Sequence, residues 1–136
     1  MNAAKIEDRL FNRETPSLEP LTIYDSNLTA PINQSGASEL FKAGLHLLND
    51  NLKGCHDIAQ SNYTAEGSYL HAIMHRREGD YSNSKYWVRK VGKHSVWNEI
   101  ENQFPDWGPL LFVDWCESAK KGGFTKPLDW LENTQA

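Results

Sequence analysis

Apolar residues recur with helical spacing through most of this 136-residue chain, and no segment alternates with period two for long enough to form a strand. Such runs are preceded by residues that can cap a helix, namely Ser38, then Thr64 or Ser68, and then Asp80 or Ser82. Gly79 and Gly92 each follow a run and can end one. The connections between runs are short, so consecutive helices should form hairpins. The sequence therefore predicts an all-α fold, a single domain of about five or six packed helices.

The N-terminal quarter of the chain does not share this period. Prolines, a glycine and scattered small polar residues interrupt it, while several apolar residues could pack across a helical body. We therefore predict an irregular N-terminal arm over residues 1–37, frayed in its first dozen residues, that wraps a helical domain over residues 38–136. That domain should end with a short helix at about 127–135, because Pro127 stands at a favoured first-turn position.

Composition and charge exclude several classes of protein. The chain has no apolar run long enough for a membrane span, and its first ten residues do not resemble a signal peptide. The net charge of −4 argues against a general nucleic-acid binder. Cys55 and Cys116 fit reduced thiols better than a disulfide framework. We therefore expect a cytoplasmic protein that has neither nucleic acid nor membrane as a partner.

Residues 69–94 contain most of the side chains that can do chemistry. His71, His75 and Glu78 stand at i, i+4 and i+7, so they form a polar stripe along one predicted helix. Residues 71–94 hold six lysines and arginines against two acids, a charge of +4, which leaves −8 for the rest of a chain of net charge −4. A basic island in an acidic protein favours a small anion over a polyanion as the partner.

A weak internal repeat relates two of the predicted hairpins. A shift of 29 residues places His46 on His75 and Asn51 on Asp80. In each hairpin, the histidine stands five residues before the Asn or Asp of the predicted turn. A duplicated helical hairpin is one interpretation of this spacing, and chance similarity is the other, because few identities support the repeat.

The segment from His71 to Trp87 reads HAIMHRREGDYSNSKYW and fits the pattern H-A-I-x-H-R-R-E-G-D-x-x-N-x-x-Y-W. Together with the runs GLHLLNDNLKGCHDIAQ and FVDWCESA, it resembles a family of small, functionally uncharacterised all-helical proteins of bacteria and fungi. The resemblance covers roughly residues 38–120 and implies a common fold and a common site, without an activity. The motif set that it implies comprises His56, His71, His75, Arg76, Arg77, Glu78, Asp80 and Asn83.

A metal ion is one possible occupant of such a site. His71 and His75 lie one helical turn apart and can bind the same ion, and His56 of the neighbouring hairpin can be a third ligand. Glu78 or Asp57 could then serve as a further ligand or as a general base. Three histidines with a water molecule would form an open site suited to hydrolysis. Two adjacent arginines weigh against this interpretation, because they repel a divalent cation.

A small anion is the other possible occupant, and it is the leading prediction. Arg76 and Arg77 offer planar donors to a carboxylate or a phosphate. The other predicted ligand-binding residues are His56, Asp80, Asn83 and Tyr86. His71, His75 and Glu78 would be the catalytic residues if the bound anion also undergoes acid-base chemistry. Neither interpretation identifies a cofactor.

A structural role is the third interpretation. In it, both arginines pair with Glu78 and Asp80 and lock the helix-turn-helix of a scaffold or interaction module. Geometry separates the three. A metal site requires the three imidazoles to converge, an anion pocket requires Arg76 or Arg77 to lie beside them, and a scaffold requires both arginines to be paired with the two acids.

Overall fold

The computed structural model describes residues 1–122 and Glu132, and its secondary structure is helical. Residues 1–122 contain α1 Ala3–Phe11, α2 Thr29–Gln34, α3 Glu39–Leu48, α4 Leu52–Ala59, α5 Ala65–Arg77, α6 Tyr81–Val91, α7 Ser95–Gln103 and α8 Pro109–Lys120, with a 3-10 helix at Ser26–Leu28. This part of the chain has no strand, which confirms the all-α prediction, although eight α-helices exceed the five or six expected. The predicted helix at 127–135 lies outside the described residues except for Glu132.

The additional helices belong to the N-terminal arm. The side chain of Asn2 accepts a hydrogen bond from a first-turn amide and caps α1. Ile6 and Leu10 lie one turn apart on α1 and are buried in a cluster with Ile32 of α2 and Leu45 of α3. The prediction of an irregular arm is therefore wrong for α1 and α2, because even two apolar residues on one face suffice to dock a short helix on the body.

The remaining helices begin and end largely where capping chemistry places them. Ser38, Thr64 and Asp80 each accept a hydrogen bond from an amide in the first turn of α3, α5 and α6. Gly92 ends α6 with a φ of 68°, a left-handed conformation that favours glycine. Capping residues thus set the boundaries of the two hairpins, α3–α4 and α5–α6.

The turns of these two hairpins have the same geometry, offset by 29 residues. The amide of Asn51 donates to the carbonyl of His46 at 2.8 Å, and the amide of Asp80 donates to the carbonyl of His75 at 2.9 Å. In each turn the residue before the cap has a positive φ, 59° in the first and 88° in the second. This agreement supports the interpretation of a duplicated helical hairpin.

Helix α5 is central to the packing and contacts α3, α4 and α6. Ser84 of α6 donates a hydrogen bond to the carbonyl of Ala72 on α5 at 2.6 Å. Val113 of α8 packs against Ala72 and Val88, which closes the far side of the second hairpin. Because α5 has neighbours on several sides, its two histidines and two arginines are buried against other elements. Within the described residues, no helix has the length and apolar character needed to cross a membrane.

Candidate functional site

Three histidines from two helices converge next to α6. His56 lies on α4, and His71 and His75 lie on successive turns of α5. The ring centroids are 5.4 Å apart for His56 and His71, 5.9 Å for His56 and His75, and 5.6 Å for His71 and His75. One ring nitrogen from each histidine lies within 4.8 Å of the other two. The structure therefore has the convergence that a three-histidine metal site requires.

The spacing of these nitrogens is close to that of a coordinated set. Three atoms within 4.8 Å of one another all lie within about 2.8 Å of a common point, whereas a zinc–nitrogen bond is ~2.0–2.1 Å. Each ring nitrogen must therefore approach by less than about 1 Å to reach coordination distance, a movement that side-chain torsions allow. Such a site needs no rearrangement of α4 or α5.

Glu78 holds His75 from outside the cluster. Its Oε1 lies 2.6 Å from Nδ1 of His75, which favours a proton on Nδ1 and an unprotonated Nε2. The side chain of His75 is 9 % exposed, whereas that of Glu78 is 42 % exposed. Asn83 of α6 covers the same ring, with its amide nitrogen 3.4 Å from both ring nitrogens. Glu78 therefore connects a buried imidazole with solvent.

His71 is enclosed and stacks on Trp87 of α6. The two rings are 4.1 Å apart at an angle of 11°, and Nδ1 of His71 is buried without a hydrogen-bond partner among the described residues. Burial lowers the pKa of His71 below 6.5, and the neighbouring His75 and His56 lower it further, while a hydrogen bond with the Ala59 backbone acts in the opposite direction. At neutral pH this imidazole is uncharged, the form that binds a metal ion.

The acidic residues near the cluster have different roles. Asp80 accepts a hydrogen bond from the Asn83 amide at 3.3 Å as the cap of α6, and it forms a second possible ligand set with His75 and Glu78. Asp57 is exposed, and a hydrogen bond from Lys53 at 2.7 Å lowers its pKa. The structure thus gathers Glu78 and Asp80 with His75, whereas Asp57 belongs to neither ligand set among the described residues.

Arg77 does not point toward the histidines. Its guanidinium donates to the carboxylate of Asp50 at 2.6 Å, to the carbonyl of Leu47 at 2.7 Å and to the carbonyl of Ser17 at 3.2 Å. The prediction that both arginines pair with Glu78 and Asp80 is therefore wrong, because Arg77 pairs with an acid of the first hairpin.

Arg76 points in a third direction, toward the arm and α8. It donates to the carbonyl of Leu18 at 3.2 Å, and its guanidinium carbon lies 5.2 Å from the ring centre of Phe112. Successive helical residues are about 100° apart, so His75, Arg76 and Arg77 face three different neighbours. The predicted anion pocket needs an arginine beside the histidines, and neither arginine occupies that place. The repulsion expected between arginines and a cation is correspondingly reduced.

Tyr86 lies at the outer edge of the site. It is 49 % exposed, and its ring packs edge-on against Trp87 with centroids 5.3 Å apart. The ammonium of Lys90 lies 5.7 Å from the Tyr86 ring centre.

The sequence analysis missed two residues of the network around Arg77. These are Asp50 and Arg13, which form an ion pair at 2.9 Å. An acidic residue in a turn was the only signal for them.

Comparisons with protein families, with curated proteins and with solved structures find no match for this chain. The resemblance to a helical family therefore stays a prediction.

Proposed function

We propose that this protein binds one divalent transition-metal ion through His56, His71 and His75 and uses it in the hydrolysis of a small substrate. The observation that carries the proposal is the approach of three imidazole nitrogens to within 4.8 Å of one another. Two of these imidazoles are buried, and each is held by a further side chain, Trp87 for His71 and Glu78 for His75. Preorganisation of this kind is typical of metal sites.

The donor set indicates the class of metal. Three imidazoles suit zinc, copper, iron or nickel, and zinc sites with three protein ligands keep a fourth position for water or substrate. No thiol belongs to either ligand set in the described part of the chain. We therefore favour zinc in an open, catalytic type of site over a closed structural one.

The chain's own residues would have distinct tasks in hydrolysis. A bound metal ion supplies Lewis acidity and lowers the pKa of a water molecule that it holds. The stack of His71 on Trp87 would fix the orientation of this imidazole toward the metal ion. Glu78 accepts a hydrogen bond from Nδ1 of His75 through one oxygen, and its exposed second oxygen could take a proton from the attacking water through one bridging water molecule. A small anionic substrate would be drawn by the charge of the metal ion rather than by Arg76 and Arg77.

Metal analysis of untagged protein tests the binding. We expect one equivalent of zinc after loading and dialysis, and visible absorption bands of four-coordinate Co²⁺ after cobalt substitution. His56→Ala, His71→Ala and His75→Ala should each abolish the stoichiometric site. His46→Gln and His94→Ala are matched controls, because these two histidines contact Asn33 and Glu66 instead of the cluster. Metal bound equally by all five variants, or no metal in the parent protein, would refute the proposal.

Hydrolysis of neutral and anionic aryl esters and phosphate esters by the zinc-loaded protein tests the reaction. Glu78→Gln should keep a hydrogen bond to His75 and still form the zinc site, with an affinity ~10–100-fold lower. At saturating zinc it should lower kcat by ~10²–10⁴-fold if the carboxylate is the general base. Zinc-loaded protein without activity on any of these probes would limit the site to metal binding. Metal-free protein that unfolds when His71 or His75 is replaced would instead favour the structural interpretation.

A further inference from the structure

We propose that Asp50 is a positioning residue for the histidine site: held between Arg13 and Arg77, it fixes the helix that carries His56 against the helix that carries His75. This inference rests on the metal site proposed above. It adds that the N-terminal arm, through Arg13, contributes to the affinity for the metal ion.

Both oxygens of the Asp50 carboxylate are used in this arrangement. Arg77 lies 2.6 Å from Oδ1, and Arg13 lies 2.9 Å from Oδ2. The side chains of Arg77, Arg13 and Asp50 are 4 %, 6 % and 8 % exposed, respectively. Arg13 also donates to the carbonyl of Leu48 at 3.1 Å, and its guanidinium lies 3.8 Å from the ring centre of Tyr24. A buried, doubly paired carboxylate has little freedom to move.

The position of this ion pair relates it to the histidines. Asp50 directly precedes Asn51, the cap of α4, and His56 follows on the same helix. Arg77 is the last residue of α5, two positions after His75. The pair therefore joins the start of α4 to the end of α5. At the end of α4, the Ala59 backbone forms a hydrogen bond with His71 in the middle of α5. His56 and His75 lie between these two contacts along the helices.

The backbone of Asp50 indicates that its carboxylate is needed. Asp50 has a φ of 59°, and the equivalent residue of the second hairpin is Gly79, with a φ of 88°. Glycine adopts this left-handed conformation without steric cost, whereas an aspartate is less favourable there. The turn itself would be satisfied by glycine in both hairpins. The carboxylate at position 50 is the feature that glycine cannot supply.

Zinc affinity of Asp50→Asn and Asp50→Gly tests the inference. The affinity is measured by competition with a chromophoric chelator, well below the melting temperature, so that only folded protein is compared. We expect both variants to keep one zinc site but to bind ~2–30-fold more weakly, the size of effect found for residues that influence a binding site without contacting it. Asp50→Gly is the more informative variant. Glycine adopts the left-handed backbone conformation at this position without steric cost, so the only loss is that of the carboxylate.

A matched control separates positioning from general stability. Val113→Ala removes a buried side chain of α8, a helix that carries neither a histidine of the site nor a partner of Asp50, so it should lower the melting temperature and leave zinc affinity unchanged. Arg13→Lys gives a milder variant should Asp50→Asn fail to fold, and it should weaken zinc binding toward the ~2-fold end of the range. In Arg13→Lys, a single ammonium replaces the guanidinium that makes two contacts.

The outcomes distinguish this inference from the proposed function. If the parent protein binds zinc and both Asp50 variants bind it equally well, the positioning role is wrong and the metal site stands. If zinc affinity falls in Val113→Ala as much as in the Asp50 variants, affinity follows stability and the positioning role is again wrong. A parent protein without a zinc site would remove the proposed function, and this inference with it.

Discussion

Gly44 and Gly54 lie inside consecutive helices of the first hairpin, yet their replacement by alanine should have opposite effects on stability. A methyl group at Gly44 would meet no atom within 4 Å. At Gly54 it would lie 2.8 Å from Nδ2 of Asn51 and 2.9 Å from Cγ of His46. The contrast tests how firmly the turn before the histidine-bearing α4 is packed.

The changes in the free energy of unfolding include the same gain in helix propensity for both variants. They differ because the surroundings of the two glycines differ. Alanine in place of glycine within a helix stabilises by about 0.5–1 kcal/mol, and this is the whole expected effect of Gly44→Ala. At Gly54 the ring of His46 cannot retreat, because it is 1 % exposed and its Nε2 lies 2.8 Å from Oδ1 of Asn33. Displacing Asn51 would break its cap on the Gly54 amide, a loss of ~0.5–2 kcal/mol, and overpacking costs ~1–3 kcal/mol. The net change for Gly54→Ala should be a destabilisation of about 1–3 kcal/mol.

Thermal unfolding of the two variants and the parent protein measures this difference. For a chain of this length, 1 kcal/mol corresponds to roughly 3 °C in Tm. Gly44→Ala should therefore raise Tm by about 2–3 °C, and Gly54→Ala should lower it by about 3–9 °C. Equal stability of Gly44→Ala and Gly54→Ala would refute the reasoning, since it would mean that His46 and Asn51 can give way without cost.

Three further predictions concern protonation, thiol reactivity and fluorescence. Burial lowers the pKa of His46 and His71 below 6.5, so between the lowered values and 6.5 the unfolded chain binds more protons than the folded one. The free energy of unfolding of the metal-free protein should thus fall as pH decreases through that window, and urea titrations that show no such fall would contradict this. Burial raises the pKa of Cys55 to about 12 and that of Cys116 to about 11, so both thiols should react with Ellman's reagent slowly in the folded protein and rapidly in denaturant. Because Trp87 stacks on His71, zinc binding should change the tryptophan emission, and Trp87→Phe should remove most of that change while zinc still binds.

Much of the secondary structure could be predicted from the sequence because its causes are local. Ser38, Thr64 and Asp80 cap helices by accepting hydrogen bonds from amides no more than three residues away, so the pattern is complete within a few positions. His71 and His75 share one side of α5 for the same reason, since residues four apart lie one turn apart in any α-helix. The histidine cluster follows from this local geometry together with α4, the helix of the neighbouring hairpin that carries His56.

The arm shows where local information stops. Leu18 and Leu21 have the same side chain and lie three residues apart, yet Leu18 is 9 % exposed and Leu21 is 98 % exposed. Only the position of α8 and α5 decides which of them is covered. The short helices α1 and α2 likewise depend on a surface supplied by α3, because helices of this length are marginal by themselves.

The partners of the arginines were decided by tertiary structure alone. The sequence by itself determined that His75, Arg76 and Arg77 project from the end of one helix in three directions. It could not determine that Arg77 meets Asp50, 27 residues earlier, or that Arg76 meets the carbonyl of Leu18. Those contacts depend on how the hairpins and the arm pack, a long-range arrangement that helix period and capping do not specify. The histidines lie together because one helix holds two of them. The arginines point away from the histidines because each contacts a different neighbouring element.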